Sequence, residues 1–242
     1  MAEAEETHWW YQGLRDLLAR LLSSKSFAVG EGANVLDAGC GAGANLRMLD
    51  TLLRPARLEG FDAHPRAVRL AADKCTRADV HLGDIRDPTL HLDRYDLVVC
   101  CDVVSHVGRN ACRAGLGRIA EHLVPGGLFV VHVPACPGLA SEHDTAVGTV
   151  ERYRKAEVES LIRSLNLRLE LSTYRMSLLL PVVAAYRRLG RNGSSSPRSD
   201  LHRGPTIVEP LCRRILTWEN RLITRGVRFP LGSSILAVGR KV

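Results

Sequence analysis

The period of apolar and polar positions changes several times along the 242-residue chain. Over residues 8–22, Trp10, Leu14, Leu17, Leu18, Leu21 and Leu22 recur at helical spacing, which predicts an amphipathic helix. Gly30 and Gly32 break it, and residues 34–37 (NVLD) read as a first buried strand that enters a glycine-rich turn and another helix. Residues 58–61 predict a second strand, 65–73 a helix opened by Pro65, and 80–82 a third strand. Residues 95–101 (YDLVVCC) read as a continuously apolar fourth strand. A helix over 110–123, a turn at Pro125-Gly126-Gly127 and a fifth strand over 128–133 (LFVVHV) follow. Strands buried on both faces and separated by helices predict an α/β fold with a doubly wound, mostly parallel sheet and right-handed crossovers.

After residue 134 the rhythm changes. Residues 155–165 predict a helix, 167–174 alternate like a strand, and 233–238 read as the last strand. The 58 residues at 175–232 do not fit a hairpin. They hold an apolar helix candidate (176–188), a Gly/Ser/Pro/Arg stretch (190–205) and a second helix candidate (209–225). Because a structureless loop of that length is unusual, two helices flanking a flexible tip are expected. The predicted organisation is a core of residues 1–174 and 233–242 with a helical insert at 175–232.

Charge and cysteine content narrow the setting. The formal charge is +7, but from Arg175 onward 13 Arg or Lys stand against three acidic residues, so the C-terminal third holds the whole excess. Such a segment faces phosphate, an anionic membrane or an acidic substrate, or is a solvated Arg-rich surface. The seven cysteines form no CxxC pair and no Cys/His metal pattern, so no metal site is expected and a reducing, cytoplasmic setting is. The acidic, polar N-terminus is not a signal peptide, and the apolar run 176–186 is too short to cross a bilayer.

Candidate chemistry concentrates at the strand ends. In Asp37-Ala38-Gly39-Cys40-Gly41-Ala42-Gly43 the glycines permit close approach of a ligand, and the helix that follows favours an anionic group. Gly39, Gly41 and Ala44 also meet a relaxed dinucleotide pattern, so the loop alone fits either of two cofactors. Asp37 offers a carboxylate to an ammonium group, which an amino-acid cofactor has and a pyrophosphate lacks. Asp62, with Ala63 after it, ends the second strand and can accept both ribose hydroxyls. Asp84, before Ile85, follows the third strand, where it can accept an adenine amino group.

With these motifs in order, the chain resembles the class I S-adenosylmethionine-dependent methyltransferases. It is most similar to a subgroup that runs from an N-terminal HWWF-like helix to a C-terminal P-x-G-x-S strand; here the ends read His8-Trp9-Trp10-Tyr11 and Pro230-Leu231-Gly232-Ser233-Ser234. The stretches 123–135 (LVPGGLFVVHVPA), 141–144 (SEHD) and 152–157 (RYRKAE) extend the resemblance over nearly the whole chain. It implies a seven-stranded sheet of order 3-2-1-4-5-7-6 with the last strand antiparallel. It also implies that Asp37, Gly39, Cys40 and Gly41 lie near the methionine moiety, Asp62 at the ribose, and Asp84 and Ile85 at the adenine. The segment from Cys101 and Asp102 to His106 would then flank the methyl group. Two departures fall on the substrate side: Ser105 stands where the family has an acidic residue, and residues 148–153 (GTVERY) replace G-H-x-R-R-Y.

Methyl transfer from a sulfonium needs a base only when the acceptor must lose a proton. His106 and His143 are the candidate bases by position, with Glu142 or Asp144 beside His143 as orienting groups or turn caps. Trp9 and Trp10 either pack against the sheet or cover the cofactor. The insert is expected to cap the acceptor site. Its apolar run, flanked by Arg175 and Arg187-Arg188, has the pattern of a helix lying on an anionic membrane over 175–188, or of a core helix with charged ends. The expected partner is a small-molecule acceptor, methylated on oxygen or nitrogen and lipid-linked or a secondary metabolite. Nucleic acid is not expected, because Cys101-Asp102-Val103-Val104 lacks a Pro-Pro-aromatic turn and no aromatic stripe accompanies the arginines. A nicotinamide oxidoreductase would call for a third glycine or a Tyr-x-x-x-Lys pair, neither of which is clear. A non-catalytic S-adenosylmethionine-binding module stays open.

Overall fold

Val35 and Leu36 are neighbours in β1 (Asn34–Ala38), and the pleat sends them to opposite faces of the sheet, where both are fully buried. Each face therefore needs its own helical cover. On one, Val35, Leu97, Val99 and Val130 pack with α2 (Trp9–Leu22) and α3 (Ala44–Leu53). On the other, Leu36, Val98, Phe129 and Val131 pack with α6 (Arg109–Glu121) and α7 (Lys155–Ser164). The computed structural model describes residues 2–140, 144–145, 148–181 and 208–242.

The seven-stranded sheet has the order β3-β2-β1-β4-β5-β7-β6. β1, β2 (Arg57–Asp62), β3 (Asp79–Leu82), β4 (Tyr95–Cys101) and β5 (Leu123–Pro134) pair in parallel. β7 (Ser234–Lys241) is antiparallel to both β5 and β6 (Leu167–Arg175). This is the doubly wound architecture expected from the sequence, with α4 (Pro65–Lys74) as the β2–β3 crossover. The Pro125-Gly126-Gly127 turn lies inside β5 as an irregularity, since the β4 pairing steps from Leu123 directly to Leu128. Two short helices escape a periodicity reading, α1 (Ala2–Thr7) and α5 (Val104–Val107).

The described part of the 175–232 segment packs into the body of the protein. Arg175 ends β6, is fully buried, and lies 5.8 Å from the Trp10 ring centroid. It is therefore not a cation facing a membrane headgroup. Met176 takes a left-handed φ of 59°, and the chain turns before any helix begins, so the helix candidate does not start at 176. Most of that candidate and the Gly/Ser/Pro/Arg stretch lie outside the described residues. α8 (Val208–Thr224) packs on α2, and its buried Glu219 accepts the main-chain N–H groups of Met176 and Leu178 at 2.6 and 2.9 Å. Asn220 Nδ2 donates to the Gly13 carbonyl at 2.8 Å and to Asp16 Oδ2 at 2.9 Å. Among the described residues, no helix is long and apolar enough to cross a membrane.

Glu219 also supplies the largest electrostatic attraction on buried Arg175, whose guanidinium burial holds down to about 10. Replacing Glu219 by Ala removes the largest attraction on that buried cation and leaves two main-chain donors without their acceptor. A loss of about 3–5 kcal/mol in urea unfolding is expected, larger than for Glu219→Gln, which keeps one acceptor oxygen.

Candidate functional site

The loop after β1 is tied to the end of β2. Gly39 N–H and Cys40 N–H both donate to the Phe61 carbonyl, at 2.8 and 2.9 Å. Gly41 N–H donates to Asp62 Oδ2 at 3.0 Å, and His64 N–H to Asp62 Oδ1 at 2.9 Å. The Asp62 carboxylate is thus fixed by the backbone while each oxygen keeps spare accepting capacity. A cleft of about 850 Å³ opens at this edge of the sheet. Of the residues expected at a cofactor, Gly39, Cys40, Gly41, Asp62, Ala63, Asp84, Ile85, Cys101 and Asp102 line it, with the proposed base His106. Burial pushes the thiols of Cys40 and Cys101 up, so they form neutral wall.

Asp37 and Gly43, both expected at the cofactor, are not on the wall of the cleft. Asp37 is fully buried and neither carboxylate oxygen has a hydrogen-bond partner. Desolvation, then the charges of Asp62 and Glu5, push it up to about 8. An orphaned carboxylate beside the glycine loop fits a cofactor that brings an ammonium group near it. Gly43 serves packing instead. It has φ of +85° at the start of α3, and a Cβ there would lie 2.8 Å from the Ala71 Cα of α4. Asp84 is clamped by Arg86, whose Nε donates to both oxygens at 3.0 and 2.9 Å, and this hydrogen bonding lowers its pKa.

The sequence reading missed the N-terminal wall. Glu5 of α1 and Tyr11, Leu14 and Arg15 of α2 line the cleft. Glu5 accepts from Ala42 N–H at 3.1 Å, and burial raises its pKa. The i, i+3, i+4 spacing of Tyr11, Leu14 and Arg15 puts them on one helix face, a signal that was present in the pattern. Trp9 and Trp10 do not line the cleft; both pack with Met176, Leu179 and Leu216, and Trp10 also meets the His132 ring edge-on at 5.6 Å. His132, hidden in the apolar run of β5, is fully buried, and its Nδ1 lies 3.1 Å from both oxygens of Asp102. Asp102 holds a left-handed φ of 61°.

Around the substrate side, His106 Nδ1 lies 2.8 Å from the Gly148 carbonyl. His143 and Glu142 lie outside the described residues. Asp144 is held bidentately by Arg152, at 2.7 Å from Nε and 2.6 Å from Nη2. The two departures from the family pattern touch each other, because Val150 N–H and Glu151 N–H donate to the Ser105 carbonyl at 2.8 and 3.1 Å.

A mostly parallel sheet of this order with β7 antiparallel, and with a glycine loop and strand-end carboxylates around one cleft, defines the class I methyltransferase fold. Residues 35–127 match the model of a family described as a methyltransferase domain. The chain thus has the class I methyltransferase fold, and its residues 35–127, which hold the glycine loop, Asp62 and Asp84, are similar in sequence to that methyltransferase-domain family. It is 36% identical over 125 residues to the ubiquinone biosynthesis O-methyltransferase of Bradyrhizobium sp. (strain ORS 278), covering 49% of this chain and 47% of that protein. To the dTDP-3-amino-3,6-dideoxy-alpha-D-glucopyranose N,N-dimethyltransferase of Streptomyces fradiae it is 32% identical over 121 residues, 49% of this chain and 46% of the other. These matches span about half the length of each relative. The N-methyltransferase NodS from Bradyrhizobium japonicum, in complex with S-adenosyl-l-homocysteine, shares the fold with a TM-score of 0.59. That superposition has 18% identity and covers 98% of this chain and 90% of that one.

Without ligand, folded Asp37 keeps a proton that the unfolded chain has already released. Its raised pKa means that the stability it contributes is present below about pH 4 and lost as pH rises through about 8. Urea unfolding across that range is expected to show falling stability, and Asp37→Asn should flatten the slope. An unchanged slope would mean that Asp37 is ionised in the ligand-free protein.

Proposed function

We propose that the chain binds S-adenosylmethionine in this cleft and transfers its methyl group to an oxygen or nitrogen of a small-molecule acceptor, in the cytoplasm. The observation that carries the reading is the Asp62 carboxylate, held by Gly41 and His64 N–H groups at the mouth of the glycine loop. A ribose diol finds two oriented acceptors there. Asp84 and Ile85 form the adenine wall, and the carboxylates of Asp37 and Glu5 and the Arg15 guanidinium serve the two charges of an amino-acid end. S-adenosylmethionine supplies an electrophilic methyl group on a sulfur that leaves without needing a proton.

The protein's part is to align an acceptor with that group, an effect worth roughly 7–11 kcal/mol in well-oriented systems. Where the acceptor must lose a proton, His106 is the proposed base. With Nδ1–H donated to the Gly148 carbonyl, its Nε2 carries the lone pair. His143 is the second proposed base. The Asp102–His132 pair sets the charge beside the acceptor. A small-molecule acceptor is supported by the two relatives named above, one described as acting in ubiquinone biosynthesis and the other on a nucleotide sugar. The 175–232 insert is the proposed cap of that site. A lipid-linked acceptor is favoured by α8, which exposes Leu211 and Trp218 among Arg213, Arg214 and Arg221, a surface suited to an anionic interface. The free cysteines suit a reducing compartment.

Calorimetry on the full chain is expected to show S-adenosylmethionine binding and no NAD binding, with at least about tenfold weaker binding in Asp62→Ala, as for a lost charge-assisted hydrogen bond. NAD binding alone would overturn the assignment. Methyl label from the cofactor, added to cell extract, should enter aqueous metabolites or lipids; label found only in RNA would refute a small-molecule acceptor. With the acceptor in hand, His106→Gln should lower kcat by about 10²-fold or more while the cofactor Kd stays put.

A further inference from the structure

On the outer edge of the sheet, away from the glycine loop, three side chains from separate segments meet. They are Glu59 of β2, His81 of β3 and His91 of the loop before β4. One nitrogen of each imidazole and one Glu59 oxygen lie within 4.8 Å of one another. The two imidazoles stack with centroids 3.9 Å apart. We infer that these residues form a binding site for one divalent transition-metal ion of the zinc type.

The tautomers carry the argument. His91 Nδ1 lies 2.8 Å from Asp79 Oδ2, and His81 Nδ1 lies 3.4 Å from the Leu82 carbonyl. Asp79 only accepts, so neutral His91 keeps its hydrogen on Nδ1 and carries a lone pair on Nε2, while the His81 hydrogen faces either the Leu82 carbonyl from Nδ1 or Glu59 from Nε2. His81 Nε2 sits 3.1 Å from Glu59 Oε1. With its hydrogen on Nδ1, His81 turns the Nε2 lone pair and the Glu59 carboxylate toward one position that a cation can take. Protonating His81 would supply one, but beside a stacked second imidazole a proton serves only one ring. A dication serves both rings and the carboxylate together. A ligating histidine whose other ring nitrogen donates to a carboxylate or a main-chain carbonyl is the usual arrangement around zinc.

The surroundings suit such a site. Glu59 is fully buried, and its orientation is fixed by the Tyr95 hydroxyl, which donates to Oε2 at 2.6 Å, and by His91 N–H, which donates to Oε1 at 3.0 Å. Tetrahedral zinc with bonds near 2.0–2.1 Å needs donors about 3.3 Å apart. The Glu59–His81 pair, at 3.1 Å, is close to this, and the His91 donor lies within 4.8 Å of both. His91 is half-exposed, which leaves an entry path and room for a water ligand. The bound ion would pin the 83–94 loop, which carries Asp84 and Ile85 of the cofactor cleft, to strand β2. It would also steady the His81 ring, 5.9 Å from Phe61 in the cleft wall.

The test is titration of chelator-treated full-length protein with Zn²⁺ by calorimetry and with Co²⁺ by absorption. One equivalent of Zn²⁺ should bind, and Co²⁺ should give the visible bands of a low-symmetry nitrogen–oxygen site without a near-ultraviolet thiolate band. The doubly substituted His81→Asn/His91→Asn chain should lose this binding. Asp79→Asn, at an exposed position that leaves all three ligands in place, should weaken it about 10–100-fold. Zn²⁺ should slow amide exchange over 83–94 in the unsubstituted chain, an effect that does not depend on any variant folding. Absence of stoichiometric binding would overturn the inference. So would binding that survives in the His81→Asn/His91→Asn chain, or a thiolate band assigning the ion to cysteines.

Discussion

Phe61's carbonyl oxygen, accepting from Gly39 and Cys40 at once, is the constraint on which the rest of the site depends. It is available because β2 runs parallel to β1 in register, with Ala38 opposite Phe61, so both strands finish at the same height. The loop is bent over the strand end, and the next residue of β2, Asp62, meets Gly41 N–H. A side chain at Gly39 could not be accommodated: its φ is +81°, and a Cβ would collide with Val103 beyond β4. The loops after β1 and β4 therefore abut, and the cleft opens where the strand order reverses, as expected for a ligand edge in doubly wound sheets.

Strand positions were legible because burial on both faces writes a continuous apolar run, as in 97–101 or 128–133. Ligand-edge residues were legible for a related reason. A carboxylate or glycine after a strand, as at Gly39, Asp62 or Asp84, is taken singly a common turn residue, and only their occurrence in order at the carboxyl ends of parallel strands marks a ligand edge. Position in sequence does not reveal depth, however. Asp37 reads as a cofactor ligand at the end of the first strand, but its carboxylate is fully buried and off the wall of the cleft. Gly43 reads as part of a ligand cradle, while its lack of a side chain serves the approach of α4.

What the pattern concealed depends on long-range assembly. Glu5 sits in an acidic, polar N-terminus that resembles a solvated tail, and only tertiary packing brings it to Ala42 N–H. His132 is one polar residue in an apolar strand, and its meaning appears only where β4 ends beside it in Asp102. Glu59, His81 and His91 come from three segments with none of the close ligand spacing by which a metal motif is recognised. Pairing of β2 with β3 aligns the first two, and the loop's return brings the third.

The two departures from the family pattern gain sense from their contact. Ser105 offers its carbonyl to the N–H groups of Val150 and Glu151. The Glu151 carboxylate turns to other partners: Arg109 N–H at 3.0 Å, the Arg109 guanidinium at 2.9 Å and the Tyr153 hydroxyl at 3.0 Å. The same arginine is shared with Glu157. The acid is thus absent at 105, on α5, and present at 151, in a strap of residues 148–153 that meets α5 through the Ser105 carbonyl. Gly148, whose carbonyl fixes the His106 ring, belongs to the same strap. The 148–153 strap and α5 are thereby held together around His106, whose ring lines the cleft.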